Sequence, residues 1–356
     1  MKHGVWSLIA CGVFSLVQAA GAETYPAAGT GTSLLTIYST TDTAVFEGAI
    51  RHFQKLNPGI TVRYEELESN TLYEQFLADL QQGKPRADLL LSAAMDLQVK
   101  LVNDGYAATH ISANARMLPV WARWRDQAFG FTFEPAVMVF NVRAFAGRRL
   151  PQTRGELIDL VRRDPSIWRG RIGTYDIAGS SVGYLLASQD ARQSSEYGAL
   201  LETMGDTEIR TERHTGDLLA RLEKGELAIG YNLLGPYAQA RIAAGAPLAI
   251  VYPRDYTLVV SRTAVLPASA PNTEGAHRFL EYLVSTEGQQ TLANVGGLPA
   301  IRSEASALQT QRGIVSAAVG PLRPVLLGPG LRVYLDALKK RRFMAFWSGA
   351  VRPPKE

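Results

Sequence analysis

Cysteine is nearly absent from this chain: the only one among 356 residues is Cys11. The sequence beyond it therefore excludes disulfides and a cysteine nucleophile, and that absence fits an oxidising compartment. Metal-ligand spacings of the H-E-x-x-H or C-x-x-C kind are also missing. After the N-terminus, no apolar run approaches the ~20 residues that span a bilayer. We therefore expect no metal site, no cofactor and no membrane-spanning segment.

The N-terminus has the pattern of an export signal. A short polar start precedes an apolar run from Val5 to Val17, and small residues then lead to Ala22. We expect a signal peptide over residues 1–22, cleavage after Ala22 and a periplasmic protein. The run ending at Cys11, LIAC, also matches a lipoprotein box, so lipidation at Cys11 is an alternative.

Size and charge narrow the class of protein. Roughly 330 residues would remain after cleavage, which is more than one hydrophobic core usually serves, so two lobes are expected. The sequence pI of about 9.1 favours an anionic ligand or an anionic surface. No basic block interleaved with aromatic residues precedes the C-terminus, so nucleic acid is not an expected partner.

Strands and helices alternate along the first third of the chain. Buried strands are expected at 34–38, 60–67 and 87–92, each followed by a helix with apolar residues on one face. Two capping boxes, Thr71-x-x-Glu74 and Thr153-x-x-Glu156, mark helix starts. This β-α-β-α-β order predicts a mostly parallel sheet with helices on both faces.

Two long β-rich runs are typical of crossings from one lobe to another. The first covers residues 129–141 and is interrupted by Pro135, and the second covers residues 251–266. We expect an α/β fold with two lobes, each a mixed, mostly parallel sheet flanked by helices. Lobe 1 is predicted to comprise residues 34–130 plus 258–356, and lobe 2 residues 131–257.

The chain resembles the periplasmic solute-binding proteins of ABC transporters, in the branch for ferric iron, phosphosugars and phosphonates. The resemblance runs from Leu34 to about Arg302 and rests on six segments: LLTIYSTTD, FQKLNPGITVRYEE, RADLLLSAAMDLQVKLVNDG, WRGRIGTYDIAGSSVGY, HTGDLLARLEKGELAIGYNLLGPYAQARIAAGAPLAIVYP and APNTEGAHRFLEYLVSTEGQQTLA. It implies the type 2 periplasmic-binding-protein fold with a solute in the cleft between two lobes. It also implies a binding protein without catalytic activity that delivers the solute to a permease in the inner membrane.

Candidate ligand-binding residues follow the carboxyl ends of the expected strands, where open α/β sheets bind their ligands. Most are hydroxyl or amide groups at helix starts, which suit an anion or a sugar. They are Ser39, Thr40, Thr41, Asn70, Thr71, Ser92, Thr174, Asp176, Gly179, Ser180, Ser181, Val182, Gly183, Tyr231 and Asn232. Each is also explained locally as a cap or turn former. Ser180 and Ser181 are the strongest single candidates, whereas Asp176 equally fits a structural Asx turn.

The residue types at these candidate positions indicate which class of ligand to expect. Iron-binding members of the family imply an adjacent tyrosine pair where this chain has Tyr231 and Asn232. Because Fe³⁺ prefers charged oxygen ligands, one tyrosine is a poor set. We therefore expect an anionic organic solute: a phosphorylated sugar, a phosphoglycerate-like acid, a phosphonate or a carboxylate. Ferric binding is the alternative, and Arg143 or Arg171 is a candidate partner for the anion.

Residues 179–183 also read G-x-S-x-G, the nucleophile elbow of serine hydrolases. In that reading Ser181 is the nucleophile, with Asp206 or Asp255 and His214 or His277 as partners. The elbow requires a sharp turn directly off the strand, but residues 175–179 intervene. We therefore favour a binding protein over an enzyme.

The C-terminus combines an apolar stripe with a basic block. Leu331, Tyr334, Leu335 and Leu338 precede Lys339-Lys340-Arg341-Arg342. We expect an amphipathic helix packed on lobe 1 with its basic face in water, and a membrane-surface or partner-docking role is the alternative. This ending is similar to that of receptors that report to a sensor kinase, so a kinase is an alternative partner to the permease. We expect a monomer.

Overall fold

The computed structural model describes residues 21–31, 33–303 and 311–351, and within those ranges it contains two seven-stranded sheets. Each sheet and the helices packed on it form one lobe. The predicted signal segment up to residue 20, including Cys11, lies outside the described residues. No helix of the described part is both long enough and apolar enough to cross a membrane.

The first sheet has the order β1-β3-β2-β4-β13-β6-β5. Its strands are β1 (Ala22–Tyr25), β2 (Ser33–Ser39), β3 (Ile60–Glu66), β4 (Leu89–Ser92), β5 (Arg123–Trp124), β6 (Ala128–Gly130) and β13 (Thr263–Val265). Strand β2 pairs in parallel with both β3 and β4, as the alternation of strands and helices predicts. The remaining neighbours pair antiparallel, so the sheet is mixed.

The second sheet has the order β14-β12-β7-β10-β8-β9, with one further strand, β11, also on β7. Its strands are β7 (Glu134–Asn141), β8 (Ile172–Tyr175), β9 (Arg210–Glu212), β10 (Ile229–Leu234), β11 (Leu248–Val251), β12 (Thr257–Val260) and β14 (Leu322–Pro324). Strands β8, β9 and β10 are parallel, and β7 runs antiparallel to its three neighbours.

Helices cover both sheets. In the described residues they are α1 (Thr43–Leu56), α2 (Ser69–Gln81), α3 (Met95–Asn103), α4 (Ala113–Arg116), α5 (Arg154–Arg163), α6 (Pro165–Trp168), α7 (Ser181–Gln193), α8 (Tyr197–Asp206), α9 (Thr215–Lys224), α10 (Gly235–Ala243), α11 (Thr273–Val284), α12 (Thr286–Val295), α13 (Gln311–Ala317) and α14 (Ala337–Ala350). Two 3-10 segments cover Val120–Ala122 and Pro329–Leu335.

The two predicted capping boxes have different outcomes. Thr153 precedes α5, and its Oγ1 accepts a hydrogen bond from the Glu156 N–H at 3.0 Å, as predicted. At α2, by contrast, the helix already begins at Ser69, so Thr71 is its third residue and is exposed. Only two residues, 67 and 68, separate β3 from this helix, whose N-cap is Glu68 instead of the predicted Thr71.

The chain crosses between the sheets twice, inside the two runs that the sequence singles out. Residues 131–133 lead from β6 to β7, and Ser261 and Arg262 lead from β12 back to β13. Residues up to 260 therefore lie in the second sheet, slightly beyond the expected boundary at 257. Pro135 is tolerated in β7, where it pairs with Val259.

The C-terminal segment differs from its expected place on the first lobe. Its apolar stripe is broken at Asp336, so that residues 329–335 pack on α3 of the first lobe and α14 packs on α8 of the second. Phe343 and Trp347 are buried in the core of the second lobe. The burial of these two aromatic side chains therefore sets the position of α14. The sequence prediction treats the apolar stripe and the basic block as one helix, and for that reason it does not find this position.

A buried polar network holds the inside of the second lobe. The side chains of Arg154 and Asp190 are both fully buried and lie 3.1 Å apart. Arg154 Nη1 also donates to Asp255 Oδ2 at 2.9 Å, and Asp190 Oδ1 accepts from the Tyr256 hydroxyl at 2.8 Å. Because each charge has several partners, the network compensates for the loss of hydration that burial imposes.

We predict that Arg154→Met lowers the free energy of unfolding by about 3–5 kcal/mol, because it leaves the Asp190 carboxylate buried without its counter-ion. Urea denaturation of the processed chain measures this. Arg278→Met is the matched control, since Arg278 pairs with Glu274 on the surface of α11 and the change should cost less than about 1 kcal/mol. Equal losses for both variants would contradict the account.

Candidate functional site

Arg262, on the return crossing, joins the two lobes through its guanidinium. It is 2% exposed. Its Nη1 donates to Thr41 Oγ1 at 2.8 Å in the turn between β2 and α1, and its Nη2 donates to the Tyr237 hydroxyl at 3.0 Å on α10. Its Nε lies 3.1 Å from Glu134 Oε1, at the start of β7. One side chain therefore contacts the first lobe, both crossings and the second lobe.

The guanidinium of Arg262 stays protonated at neutral pH in spite of its burial. Burial is the largest single effect and opposes the charge on Arg262, but Glu134, Tyr237 and Asp42 together outweigh it and raise the pKa of the guanidinium above its ordinary value. Burial also raises the pKa of Tyr237, so its phenol stays protonated. Although Arg262 Nε is close to Glu134, its N–H makes no hydrogen bond within the described part of the chain. The Nε–H group of Arg262 is therefore a buried donor between the lobes that has no acceptor among the described residues.

The helix starts of α2 and α7 face each other across the lobes. Ser181, the first residue of α7, donates its hydroxyl to Asn70 Oδ1 at 2.8 Å. Ser180 is the N-cap of α7 and accepts from the Gly183 N–H at 3.3 Å. No described residue accepts a hydrogen bond from the N–H groups of Ser181 and Val182. Two positive helix ends therefore converge on one place, which favours an anion there.

The start of α1 is different because a carboxylate already occupies it. Glu66 Oε2 accepts from both the N–H and the hydroxyl of Thr43, each at 2.7 Å. A second anion at this helix end would meet the charge of Glu66. Of the two helix starts compared, α7 is therefore the better position for an anionic group.

The predicted hydroxyls of the first lobe mainly connect its loops. Ser39 accepts from Thr41 N at 3.1 Å, Thr40 from Ala93 N at 3.2 Å and Ser92 from Ala94 N at 3.1 Å. Thr40 thereby brings together the loops after β2 and β4. Because a hydroxyl that accepts one bond can still donate another, these groups keep a hydrogen for a ligand oxygen.

The turn before α7 is built by Asp176. Its Oδ1 accepts from Ala178 N at 3.0 Å, and its carbonyl accepts from Ser180 N at 2.8 Å, so it forms the Asx turn that the sequence allows. A Cβ at Gly179 would lie 2.6 Å from Arg213 Nε, which places that exposed arginine against the turn. Arg213, rather than Arg143 or Arg171, is therefore the arginine beside the start of α7, and Asp176 Oδ2 would lie 2.8 Å from the same Cβ.

The structure does not bring Tyr231 and Asn232 together with Ser181. The Tyr231 hydroxyl and the Asn232 amide both donate to Asp190 Oδ2 at 2.6 Å, inside the second lobe. Asn232 has φ 61° at a break in the pairing of β10 with β7. Thr174 also points inward and donates to the Tyr231 carbonyl at 3.1 Å. A periodic strand pattern gives no sign of this bulge, which turns the two side chains toward the core.

The contacts of the residues that are candidates for a serine-hydrolase triad do not support that interpretation. Ser181 bonds Asn70, whereas His214 lies 3.2 Å from Glu68 across the lobes. His277 Nδ1 lies 2.8 Å from His110 Nδ1 on the first lobe, and Asp255 is bonded to Arg154. The proposed nucleophile and bases are therefore each engaged with other partners, which does not match a catalytic triad.

The contacts of the tyrosines near the site also indicate whether a metal ion could bind there. Within the described residues no group of three or more histidine, cysteine or carboxylate side chains is arranged to hold a metal ion. Burial raises the pKa of Tyr231 well above its ordinary value, and this phenol is bonded to Asp190. Tyr237 is bonded to Arg262, whose charge would oppose a bound cation.

Two α/β lobes joined by two short crossings, with polar side chains meeting between them, are the architecture of a periplasmic-type binding protein. A family model described as bacterial extracellular solute-binding protein matches residues 48–316, and the chain belongs to this family. It is similar to the substrate-binding protein of an ABC transporter from Agrobacterium tumefaciens, with 38% identity, TM-score 0.87, and 94% of this chain and 99% of that chain covered. No curated protein sequence matches the chain.

More distant structures share the fold. AfuA from Actinobacillus pleuropneumoniae, with fructose-6-phosphate bound, has 16% identity and TM-score 0.74 over 90% of this chain and 99% of its own. Iron-bound HitA from Pseudomonas aeruginosa has 18% identity and TM-score 0.70 over the same shares. The chain is thus an extracellular solute-binding receptor of the ABC-transporter type.

We predict that Ser181→Ala shifts the lobes toward an open arrangement, because it removes a hydrogen bond worth about 0.5–1.5 kcal/mol between them. Fluorescent labels on cysteines introduced at the exposed positions Lys55 and Arg163 report the distance between the lobes. The control is Ser188→Ala, whose hydroxyl bonds Leu185 O within α7. An unchanged distance distribution for Ser181→Ala would show that this bond does not hold the lobes together.

Proposed function

We propose that this protein captures one anionic organic solute between its lobes and delivers it to a permease in the inner membrane. The solute class is a phosphorylated sugar, a phosphoglycerate-like acid, a phosphonate or a carboxylate. The observation that carries the proposal is the meeting of the α2 and α7 helix starts at Asn70 and Ser181, with unpaired N–H groups on α7. Arg213 adds a positive charge beside them.

The choice of an organic anion over ferric iron rests on the charges of the cleft. The two helix N-termini and the neighbouring Arg213 favour an anion over Fe³⁺ at this place, whereas the charge of Arg262 is balanced by Glu134. The solved relatives include both a sugar-phosphate complex and an iron complex, so the fold alone does not decide. The hydroxyls of Thr40 and Ser92 supply neutral donors suited to phosphate or carboxylate oxygens.

The proposal includes the place and the partners of the protein. We propose that the segment up to Ala22 is removed on export and that the processed chain is a periplasmic monomer. Strand β1 would then keep Glu23 to Tyr25, which pair with β3. Closure about residues 131–133 and 261–262 would bury the solute and present the closed form to the permease.

Thermal unfolding of the processed chain against a solute panel tests this. The panel contains sugar phosphates, three-carbon phosphates, phosphonates, di- and tricarboxylates, and Fe³⁺ with and without a chelator. We expect one organic-anion class to stabilise the protein by about 2.7 kcal/mol at 100 times its Kd. A shift with Fe³⁺ that a chelator abolishes, and none with the anions, would contradict the proposal.

Two variants then place the responding solute in the cleft. Ser181→Ala should weaken its binding by about 0.5–1.5 kcal/mol, or more if the bonded oxygen is charged. Ser188→Ala removes a hydroxyl from the same helix but not from the cleft, and it should leave affinity unchanged. Equal effects of the two substitutions would remove the assignment of this site.

A further inference from the structure

The inner face of α14 is fixed against the second lobe. Phe343 and Trp347 are buried there, and the Phe343 ring meets the Tyr184 ring at a centroid distance of 5.7 Å. Gly205 of α8 lies so close to α14 that a Cβ would come within 1.9 Å of the Ala350 carbonyl oxygen. These contacts set which face of α14 is packed, so the opposite face points outward.

That outward face, which we call the basic-apolar face, carries both cations and large apolar side chains. It consists of Leu338, Arg341, Arg342 and Phe346, all exposed, with Lys339 at its flank; the Phe346 ring lies at the edge of this face, with its centroid 6.4 Å from that of the Phe343 ring. Leu338 is 47% and Phe346 48% exposed. Lys339, Arg341 and Arg342 form no ion pair with any residue of the described part of the chain. Asp336, the nearest acid on the helix, is occupied as its N-cap.

A helix that merely covers a core needs apolar residues on its inner side only. Here the outer side also has them, with Arg342 on the arc between Leu338 and Phe346. Basic side chains beside exposed aromatic and aliphatic ones are the composition of helices that lie in a lipid headgroup layer. We propose that the basic-apolar face docks on an anionic lipid surface and holds the second lobe against the membrane.

The charges favour lipid phosphates, and the apolar residues favour lipid over an acidic protein. Leu338 and Phe346 are eight residues apart, or about 12 Å along the helix. A fluid headgroup layer can accept apolar groups at both points while its phosphates meet the intervening cations. This inference is independent of the solute and of the cleft.

Co-sedimentation of the processed chain with vesicles tests the proposal. One set of vesicles contains phosphatidylglycerol and phosphatidylcholine in equal amounts, and the other contains phosphatidylcholine alone. We expect binding only to the first set, weakened by salt. Arg341→Gln with Arg342→Gln should reduce partitioning about 30-fold, since each basic side chain at an anionic surface contributes about fivefold. Phe346→Ala should reduce it about fivefold.

Matched controls separate this face from the net positive charge of the whole protein. Arg148→Gln with Arg149→Gln removes the same charge from another exposed adjacent pair, and Ile111→Ala removes an apolar group that is 66% exposed. Both should bind vesicles as the unmodified chain does. Urea denaturation confirms that all variants remain folded, because Phe343 and Trp347 are untouched.

Three outcomes would overturn the proposal. The unmodified chain could fail to bind the anionic vesicles, or the Arg148/Arg149 variant could lose binding as the Arg341/Arg342 variant does. Retention on polyglutamate beads without vesicle binding would instead assign the face to an acidic protein. Loss confined to the α14 variants supports docking on lipid.

Discussion

The contacts of Arg262 are the constraint on which the arrangement of the two lobes depends. Its guanidinium is buried between the crossings and has to be compensated there, because an unpaired charge in that position would cost several kcal/mol. Glu134 supplies the counter-charge from one crossing, Thr41 an acceptor from the first lobe and Tyr237 an acceptor from the second. The lobes therefore meet around a fixed cation, and the remaining cleft groups are placed relative to it.

Some polar groups between the lobes stabilise turns and helix ends, whereas others remain able to bind a solute. Asp176 and Ser180 are used in the turn and the cap before α7, and Glu66 closes the start of α1. Ser181, beside the unpaired N–H groups of α7, is bonded to Asn70 across the lobes. This bond is weak enough for a solute with negatively charged oxygens to replace it, since such bonds to charged groups are stronger.

The sequence predicts the fold far better than the site. Strand–helix alternation is a periodic signal, and the parallel pairing of β2 with β3 and β4 that it predicts is present. Tyr231 and Asn232 turn inward at a bulge in β10, and both bond Asp190, which lies about forty residues away on α7. Arg262 lies inside the predicted return crossing, but that run also contains Arg254 and Asp255, so its charge alone does not single it out. The position of Arg213 beside α7 and the packing of α14 on the second lobe depend on tertiary contacts, which the periodicity of the sequence does not indicate.

In the proposed function, one solute closes the two lobes around it. Small-angle X-ray scattering of the processed chain, with and without the solute that stabilises it most, tests this directly. We expect the unmodified protein to have a smaller radius of gyration with solute than without it, because the bound solute favours the closed state. An unchanged radius at saturating solute would contradict it and would move the binding site away from the cleft.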